Sequence, residues 1–289
     1  MIRSITLPAP PKLNLFLHIT GRRDDGYHNL QTLFQILDGG DELTFTSTNN
    51  GKISLSPQIE GVAESDNLIV RAALALQQQS NCSQGCIIHL DKRLPMGAGL
   101  GGGSSNAATT LLALNKLWGC DLSIEKLAEL GAQLGADVPV FVDGHSAFAE
   151  GIGDQLTAVE IPESWYLIVT PNCTVSTEEI FLNPQLTRNS APIKIRALSE
   201  EQYRNDCQVI VEKLHPQVAE VVDWLRAYSE PLMTGTGASV FCRWATEAQA
   251  KEVLSRVPQH WNAFIARGVN HSLVHQKLKE FFIGASPSG

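Results

Sequence analysis

The chain has 289 residues, 43% of them hydrophobic and 18% charged, with a formal net charge of −8. Such a composition belongs to a globular protein of one large or two modest domains and excludes a disordered or fibrous chain. The acidic balance argues against nucleic-acid binding, and no apolar run is long enough to span a bilayer, so a soluble cytoplasmic protein is expected.

Six cysteines are scattered without a C-x-x-C pair, which predicts reduced structural thiols rather than a disulfide framework or metal site. His271 and His275 lack the glutamate of an H-E-x-x-H helix and read as surface histidines. An anionic small substrate would need local positive charge, for which Lys12, Arg22-Arg23 and Lys92-Arg93 are the candidates.

In chain order, Lys12 to Ile19 alternates as a strand, with Leu13, Leu15, Leu17 and Ile19 on one face and Lys12 and Asn14 on the other. A solvated strand lysine is the ordinary reading of Lys12, but Pro8-Ala-Pro-Pro11 fixes the entry of the strand and Asn14 shares its face. Gly21 to His28 is a polar loop. It reads equally as a β-turn lidded by Tyr27 and as a base-recognition loop in which Tyr27 stacks and His28 bonds in plane. Leu30–Leu37 and Asp41–Thr46 read as strands joined by a Gly39-Gly40 hairpin turn. After a turn and a short strand at Ile53–Leu55, Asp66 is positioned to cap a helix over Asn67–Gln79. Ile87–Leu90 reads as a further strand.

The next stretch organises the rest. Five glycines lie among the seven residues from Gly97 to Gly103, and such a backbone reaches positive φ and comes close to a ligand. Ser104 and Ser105 follow, either a suitable N-cap, before an Ala/Leu-rich helix from Asn106 to Leu117. A glycine loop opening a helix presents unpaired N–H groups at the positive end of a dipole, an anion site that phosphate commonly fills. No G-K-[ST] closes it, so it is not a Walker A loop. Gly97, Gly99 and Gly102 match G-x-G-x-x-G by spacing, but the loop does not directly follow a strand as the dinucleotide fingerprint requires.

Ser123 starts a helix carrying Leu127, Leu130 and Leu134. Pro139 is read as barring its continuation, which leaves Asp137 in a rigid break before a strand, as a capping residue or a catalytic base. Trp165–Thr170 is a buried strand. Beyond it a helix capped by Ser176 or Thr177 sets Thr177 and Phe181 on one face, where Phe181 is either a core aromatic or a ligand contact. An irregular connection over 183–197 leads to two helices, roughly Ser199–Leu214 and Val218–Tyr228. A second glycine loop follows within Leu232–Phe241, then a helix over Glu247–Arg256, a strand over Trp261–Ala266, a short final helix and a loose tail from Gly284. The division between two α+β domains is placed near Leu156.

Pro-x-Gly-Ala-Gly-Leu-Gly-Gly-Gly-Ser-Ser resembles the central ATP loop of the GHMP kinases, the superfamily of galactokinase, homoserine kinase and mevalonate kinase. The segments Ala-Pro-x-Lys-x-Asn-Leu-x-Leu and Gly-Arg-Arg-x-Asp-Gly-Tyr-His resemble the first motif of one branch, and the second glycine loop resembles the third motif. That branch phosphorylates the tertiary 2-hydroxyl of a cytidine diphosphate-linked methylerythritol in the non-mevalonate isoprenoid pathway.

The resemblance implies a two-domain fold. An N-terminal ATP-binding domain over residues 1–156, like domain 2 of ribosomal protein S5, is followed by a C-terminal ferredoxin-like α/β plait over 157–289, with the active site between them. It implies ATP bound by Pro95, Met96, Gly97, Ala98, Gly99, Leu100, Gly101, Gly102, Gly103, Ser104 and Ser105, with Asn67 and Leu68 at the adenine. Asp137 and Lys12 are the implied catalytic pair, and Asn14, Tyr27, His28, Thr177 and Phe181 the implied substrate contacts. Mg²⁺ would accompany ATP, with Ser105 as a ligand. The expected partners are these small molecules, without nucleic acid or membrane, for a monomer or weak homodimer.

Overall fold

Residues 3–197 and 199–283 are described by a computed structural model; the tail from Gly284 lies outside them. Pro10 and Pro11 end strand β1 (Ser4–Ala9) and pass the chain into β2 (Lys12–Arg22), which joins a different sheet. Strands β3 (His28–Leu37), β4 (Asp41–Thr48) and β5 (Ile53–Ser56), helix α1 (Leu68–Ser80) and strand β6 (Gly85–Asp91) follow. The four-stranded sheet has the order β1-β4-β6-β5, antiparallel except where β5 runs parallel to β6. Strand β1 was not anticipated, because Pro8 argues against a strand interior. Its edge position tolerates a residue without an N–H.

Helices α2 (Gly102–Leu117), α3 (Ile124–Ala132) and α4 (Val138–Asp143) come next, then strands β7 (Ala147–Glu150), β8 (Gln155–Ala158) and β9 (Trp165–Thr170). The second half holds α5 (Thr177–Leu182), α6 (Gln208–Leu214), α7 (Pro216–Arg226), β10 (Leu232–Met233), β11 (Val240–Trp244), α8 (Glu247–Leu254), β12 (Asn262–Val269) and α9 (Leu273–Ile283). The larger sheet runs β10-β11-β9-β12-β3-β7-β8, with β2 also paired to β3. The register Leu37↔Gly268 and Ile36↔Val269 joins a strand of the first half to one of the second. Leu156 lies inside β8.

Several local expectations are corrected. Gly39 and Gly40 do not make a hairpin, because β3 and β4 belong to different sheets. The turn carries the chain between layers, and a side chain on Gly40, with φ +100°, would enter the Ala9 carbonyl. The cap of α1 is Asn67 rather than Asp66, its side chain accepting from the Ile69 N–H at 2.9 Å. Pro139 does not bar a helix; it occupies the first turn of α4, where its missing N–H has no intrahelical duty.

Strand β2 is buried along Lys12–Ile19, with a register shift between Asn14 and Leu17. That bulge breaks the expected single face. Leu13 and Leu15 pack in a core with Leu94 and Tyr166, whereas Leu17 and Ile19 join a second core with Val169 and Met233. A third core lies under α1 and α2, around Leu7, Phe45, Ile88 and Leu111.

The six cysteines are free, and burial pushes the thiols of Cys86, Cys207 and Cys242 up to about 12. His275 is not a surface residue. Its Nε2 lies 2.9 Å from the Val142 carbonyl, against Gly144 at the end of α4, and burial lowers its pKa.

Candidate active site

The glycine loop is built by alternation. Ala98 and Leu100 turn into the core at 3% and 1% exposure, while Gly97, Gly99 and Gly101 take φ of 63°, 75° and 68° between them. The two apolar side chains anchor the loop, leaving a nearly bare main chain toward solvent. Close packing adds a second demand for glycine. A side chain on Gly99 would run into the Thr234 carbonyl, and one on Gly101 would come within 2.9 Å of Phe141 Cε2 and 3.2 Å of Lys12 Cε.

Gly101, in the left-handed region, is the residue before α2, and the first intrahelical bond runs from the Ser105 N–H to its carbonyl at 2.8 Å. The N–H groups of Gly102, Gly103 and Ser104 therefore have no intrahelical acceptor and lie at the positive end of the dipole. Ser104 and Ser105 are not caps, because the helix begins ahead of them at Gly102.

Two cavities meet at this loop. One, of about 330 Å³, is lined by Ile59, Val62, Asp66, Asn67, Leu68, Lys92 and the stretch Pro95–Ser104. The other, of about 540 Å³, is lined by Lys12, Asn14, Tyr27, His28, Asp137, Thr177 and Phe181, among others. Gly97, Gly99, Gly101 and Ser104 line both. The smaller cavity has an apolar end at Ile59, Val62 and Leu68 suited to a planar base.

Within the larger cavity, Lys12 Nζ lies 3.3 Å from Asp137 Oδ2. The lysine side chain is 4% exposed and that of Asp137 33%, so the carboxylate faces the cleft and the ammonium stands behind it. Lys12 Nζ also donates to Asn14 Oδ1 at 2.5 Å and lies 5.3 Å from the centre of the Phe34 ring. Asn14 is oriented in turn, its Nδ2 donating to Thr32 Oγ1 at 2.9 Å while Thr32 donates to the Phe16 carbonyl at 2.5 Å. Asp137 directly precedes α4, yet its side chain makes no capping bond. That disposes of the capping alternative.

Toward the far end, His28 and Phe181 stand 5.2 Å apart between ring centres. Thr177 Oγ1 is 2.8 Å from Thr236 Oγ1 of the second glycine loop, and Tyr27 is 64% exposed at the rim. Burial, followed by the charges of Arg188 and Arg22, lowers the pKa of His28.

The model of the GHMP kinase N-terminal domain matches residues 67–145, and that of the C-terminal domain matches 184–263. The chain is 53% identical to a 4-diphosphocytidyl-2-C-methyl-D-erythritol kinase of Marinobacter nauticus, over 97% of this chain and 99% of that protein. A protein of the same name from Pseudomonas aeruginosa is 54% identical over 95% of this chain and 98% of its own length. The chain belongs to the 4-diphosphocytidyl-2-C-methyl-D-erythritol kinase family of the GHMP kinases. A crystal structure titled 4-(cytidine 5′-diphospho)-2C-methyl-D-erythritol kinase matches with a TM-score of 0.80 at 31% identity, covering 93% of this chain and all (100%) of that one. Methanococcus jannaschii mevalonate kinase, at 16% identity and a TM-score of 0.68 over 93% of this chain and 99% of its own, shares the fold.

Of the residues singled out in this GHMP kinase from its sequence, Lys12, Asn14, Tyr27, His28, Asp137, Thr177 and Phe181 line one cavity. Asn67, Leu68 and Pro95 to Ser104 line the other. Ser105 lines neither, and its Oγ is buried without a partner among the described residues. The cause is helical phase. With α2 starting at Gly102, a rotation of about 100° per residue turns Ser105 into the core and leaves Ser104 at the cleft.

Of the cationic candidates, Lys92 lines the smaller cavity while paired with Asp41 at 2.9 Å, and Arg93 pairs with Asp91 and Glu42. Arg23 pairs with Asp25. Sequence reading missed Thr32, Thr234 and Arg188, which meet Asn14, Asn14 and His28 across 18, 220 and 160 positions. Thr234 Oγ1 accepts from the Asn14 N–H at 3.0 Å and lies 3.2 Å from the Gly99 carbonyl, tying β2, the glycine loop and the second glycine loop together. Of its signals, only the second glycine loop itself was legible.

Proposed function

We propose that the chain transfers the γ-phosphoryl group of ATP to the 2-hydroxyl of 4-diphosphocytidyl-2-C-methyl-D-erythritol, giving the 2-phosphate and ADP. One observation carries the mechanism: a carboxylate and an ammonium 3.3 Å apart lie in a cavity that shares the glycine loop with a second, base-sized cavity. Residues 1–156 form the ATP-binding domain in this reading and 157–289 the substrate-side domain.

Phosphoryl transfer depends mainly on positioning and on neutralising charge at the transferred oxygens. Adenine occupies the slot of Ile59, Val62 and Leu68, and the triphosphate runs along Gly97–Ser104 to the free N–H groups at the start of α2. The acceptor alcohol enters from the larger cavity, with its cytosine between Tyr27 and Phe181 and near His28. Asp137 accepts the hydroxyl proton. Lys12 stabilises the developing alkoxide and the transferred group.

The oxygen donors at the junction, the Ser104 hydroxyl and the Asp137 carboxylate, suit a hard divalent cation. They are too few for a protein cage, since no group of three His, Cys, Asp or Glu side chains able to hold a metal occurs among the described residues. Ser104 and Asp137 would therefore be the protein partners of an Mg²⁺ ion that arrives with the nucleotide, and the ion would supply neutralisation of the phosphate charge. We assign the protein to the cytoplasm, where ATP is supplied and free thiols persist. Among the described residues no helix is long and apolar enough to cross a membrane. We read the chain as a monomer or weak homodimer.

A coupled assay of ADP release tests the reading with the cytidyl alcohol, homoserine and mevalonate offered separately. Turnover confined to the cytidyl alcohol is expected. Preference for either of the others overturns the substrate, and phosphates found away from residues 97–104 in a complex with an ATP analogue overturn the loop's role.

A further inference from the structure

Arg188 makes a set of contacts that phosphoryl transfer does not use. Its Nη2 donates to the carbonyls of Phe181 and Asn183 at 2.8 Å each, and its Nη1 to that of Leu186 at 3.1 Å. These bonds bind it to the end of α5. A further donor, Nε–H, points at His28 Nε2 from 3.0 Å.

Guanidinium has five N–H donors and no acceptor. The imidazole nitrogen that meets it must therefore present a lone pair, and a neutral ring with its lone pair at Nε2 carries its proton at Nδ1. His28 is 7% exposed and lines the larger cavity. Its Nδ1 has no protein partner among the described residues and is not among the buried unpartnered atoms, so it remains open to a ligand. With Nε2 occupied, the ring offers a ligand a donor and no acceptor. The nearby Arg188 and Arg22 charges also oppose protonation of the ring.

We propose that Arg188 is a positioning residue that locks His28 in the Nδ1–H tautomer and thereby makes the cleft select a pyrimidine whose N3 is an acceptor. Cytosine meets that condition with the lone pair on N3. Uracil carries a hydrogen there and would set two donors against each other, leaving a buried group unpaired. The inference rests on the cytidyl reading of the larger cavity. It adds a residue remote from the reacting atoms and a reason for base selectivity.

Two measurements test it. A two-bond ¹H–¹⁵N spectrum of histidine-labelled protein, with His28 assigned through His28→Gln, reads the tautomer directly and should show Nδ1–H. An Nε2–H or doubly protonated ring in the wild type overturns the proposal whatever the variants do.

The second measurement is the ratio of kcat/KM for the cytidyl alcohol to that for its uridyl analogue, in the wild type, Arg188→Lys and Arg188→Met. The wild type should prefer the cytidyl compound by tenfold or more. Arg188→Met should lose most of that ratio through KM, with kcat within about twofold, and its His28 spectrum should become a tautomer mixture. Arg188→Lys, which still donates, should retain part of the preference.

Equal losses on both substrates in Arg188→Met would mark Arg188 as a structural tie of α5 and overturn the proposal. Absence of turnover with the cytidyl alcohol in the wild type would overturn the substrate reading itself, an outcome distinct from a wrong tautomer in the spectrum.

Discussion

At the scale of single residues, the Lys12–Asp137 pair follows from a partition of exposure. A lysine side chain 4% exposed is held beside the Asp137 carboxylate, and a carboxylate 33% exposed stays within reach of a substrate. Asp137→Asn removes the proposed proton acceptor and leaves the loop amides intact. It should lower kcat by about 10²–10⁴-fold with little change in the Kd of ATP, read by single-turnover kinetics and nucleotide titration. Near-normal kcat would remove Asp137 from the mechanism. Phe181→Ala takes one wall from the proposed base slot and should raise KM for the cytidyl substrate about tenfold, with KM for ATP unmoved. Equal rises in both would show that the ring acts through packing alone.

The behaviour of an element, the glycine loop, depends on what buttresses it. Asp41 is 1% exposed and accepts from Lys92 Nζ at 2.9 Å, from the Arg93 and Leu94 N–H groups at 2.8 Å each, and from Asn106 Nδ2 at 3.0 Å. One buried carboxylate thus fastens the approach to the loop onto α2. Asp41→Ala removes the acceptor shared by four donors and should cost about 3–5 kcal/mol in urea unfolding, accompanied by weaker ATP binding. A loss under 1 kcal/mol would refute the buttress. Gly99→Ala meets both a positive φ and the Thr234 carbonyl. It should destabilise by about 2 kcal/mol or more and separate the two glycine loops, with activity falling in parallel.

For the whole molecule, three histidines on different elements respond to acid in the same sense. His18 is fully buried, and burial followed by the Arg204 charge lowers its pKa from 6.5. His28 and His275 are lowered as well, burial being the largest cause in each. A folded-state pKa below the unfolded value means that the unfolded chain binds more protons as pH drops. The associated stability is complete above about 6.5 and is lost progressively below it. Tm should therefore decline from pH 7 to pH 5, and His18→Leu should flatten the slope. An unchanged slope would show that His18 titrates normally.

The local signals that proved legible were those whose physics is short-range. Glycines bunched before an Ala/Leu helix, a period-two strand with Lys12 and Asn14 on one face, and Thr177 and Phe181 four apart all describe geometry within a few residues. From these, with the motif resemblance, came the α+β class, the anion loop and most residues lining the two cavities. Misreadings arose where distant partners decide. Gly39-Gly40 has the chemistry of a hairpin but links two sheets. Pro139 looks like a stop and sits in a helix's first turn. Ser105 resembles an available hydroxyl until the starting phase of α2 buries it.

What the amino-acid order determined unaided is therefore the loop and its dipole, because backbone freedom is a local property, while Lys12 and Asp137 were singled out only through the motif resemblance. Only the folded chain decided that Lys12 meets Asp137, that Ser104 rather than Ser105 faces the cleft, and that Arg188 reaches His28 across 160 positions. Those pairings cost conformational entropy in proportion to no local signal. They are fixed when β3 and β12 join the two halves of the larger sheet and the three cores close around them.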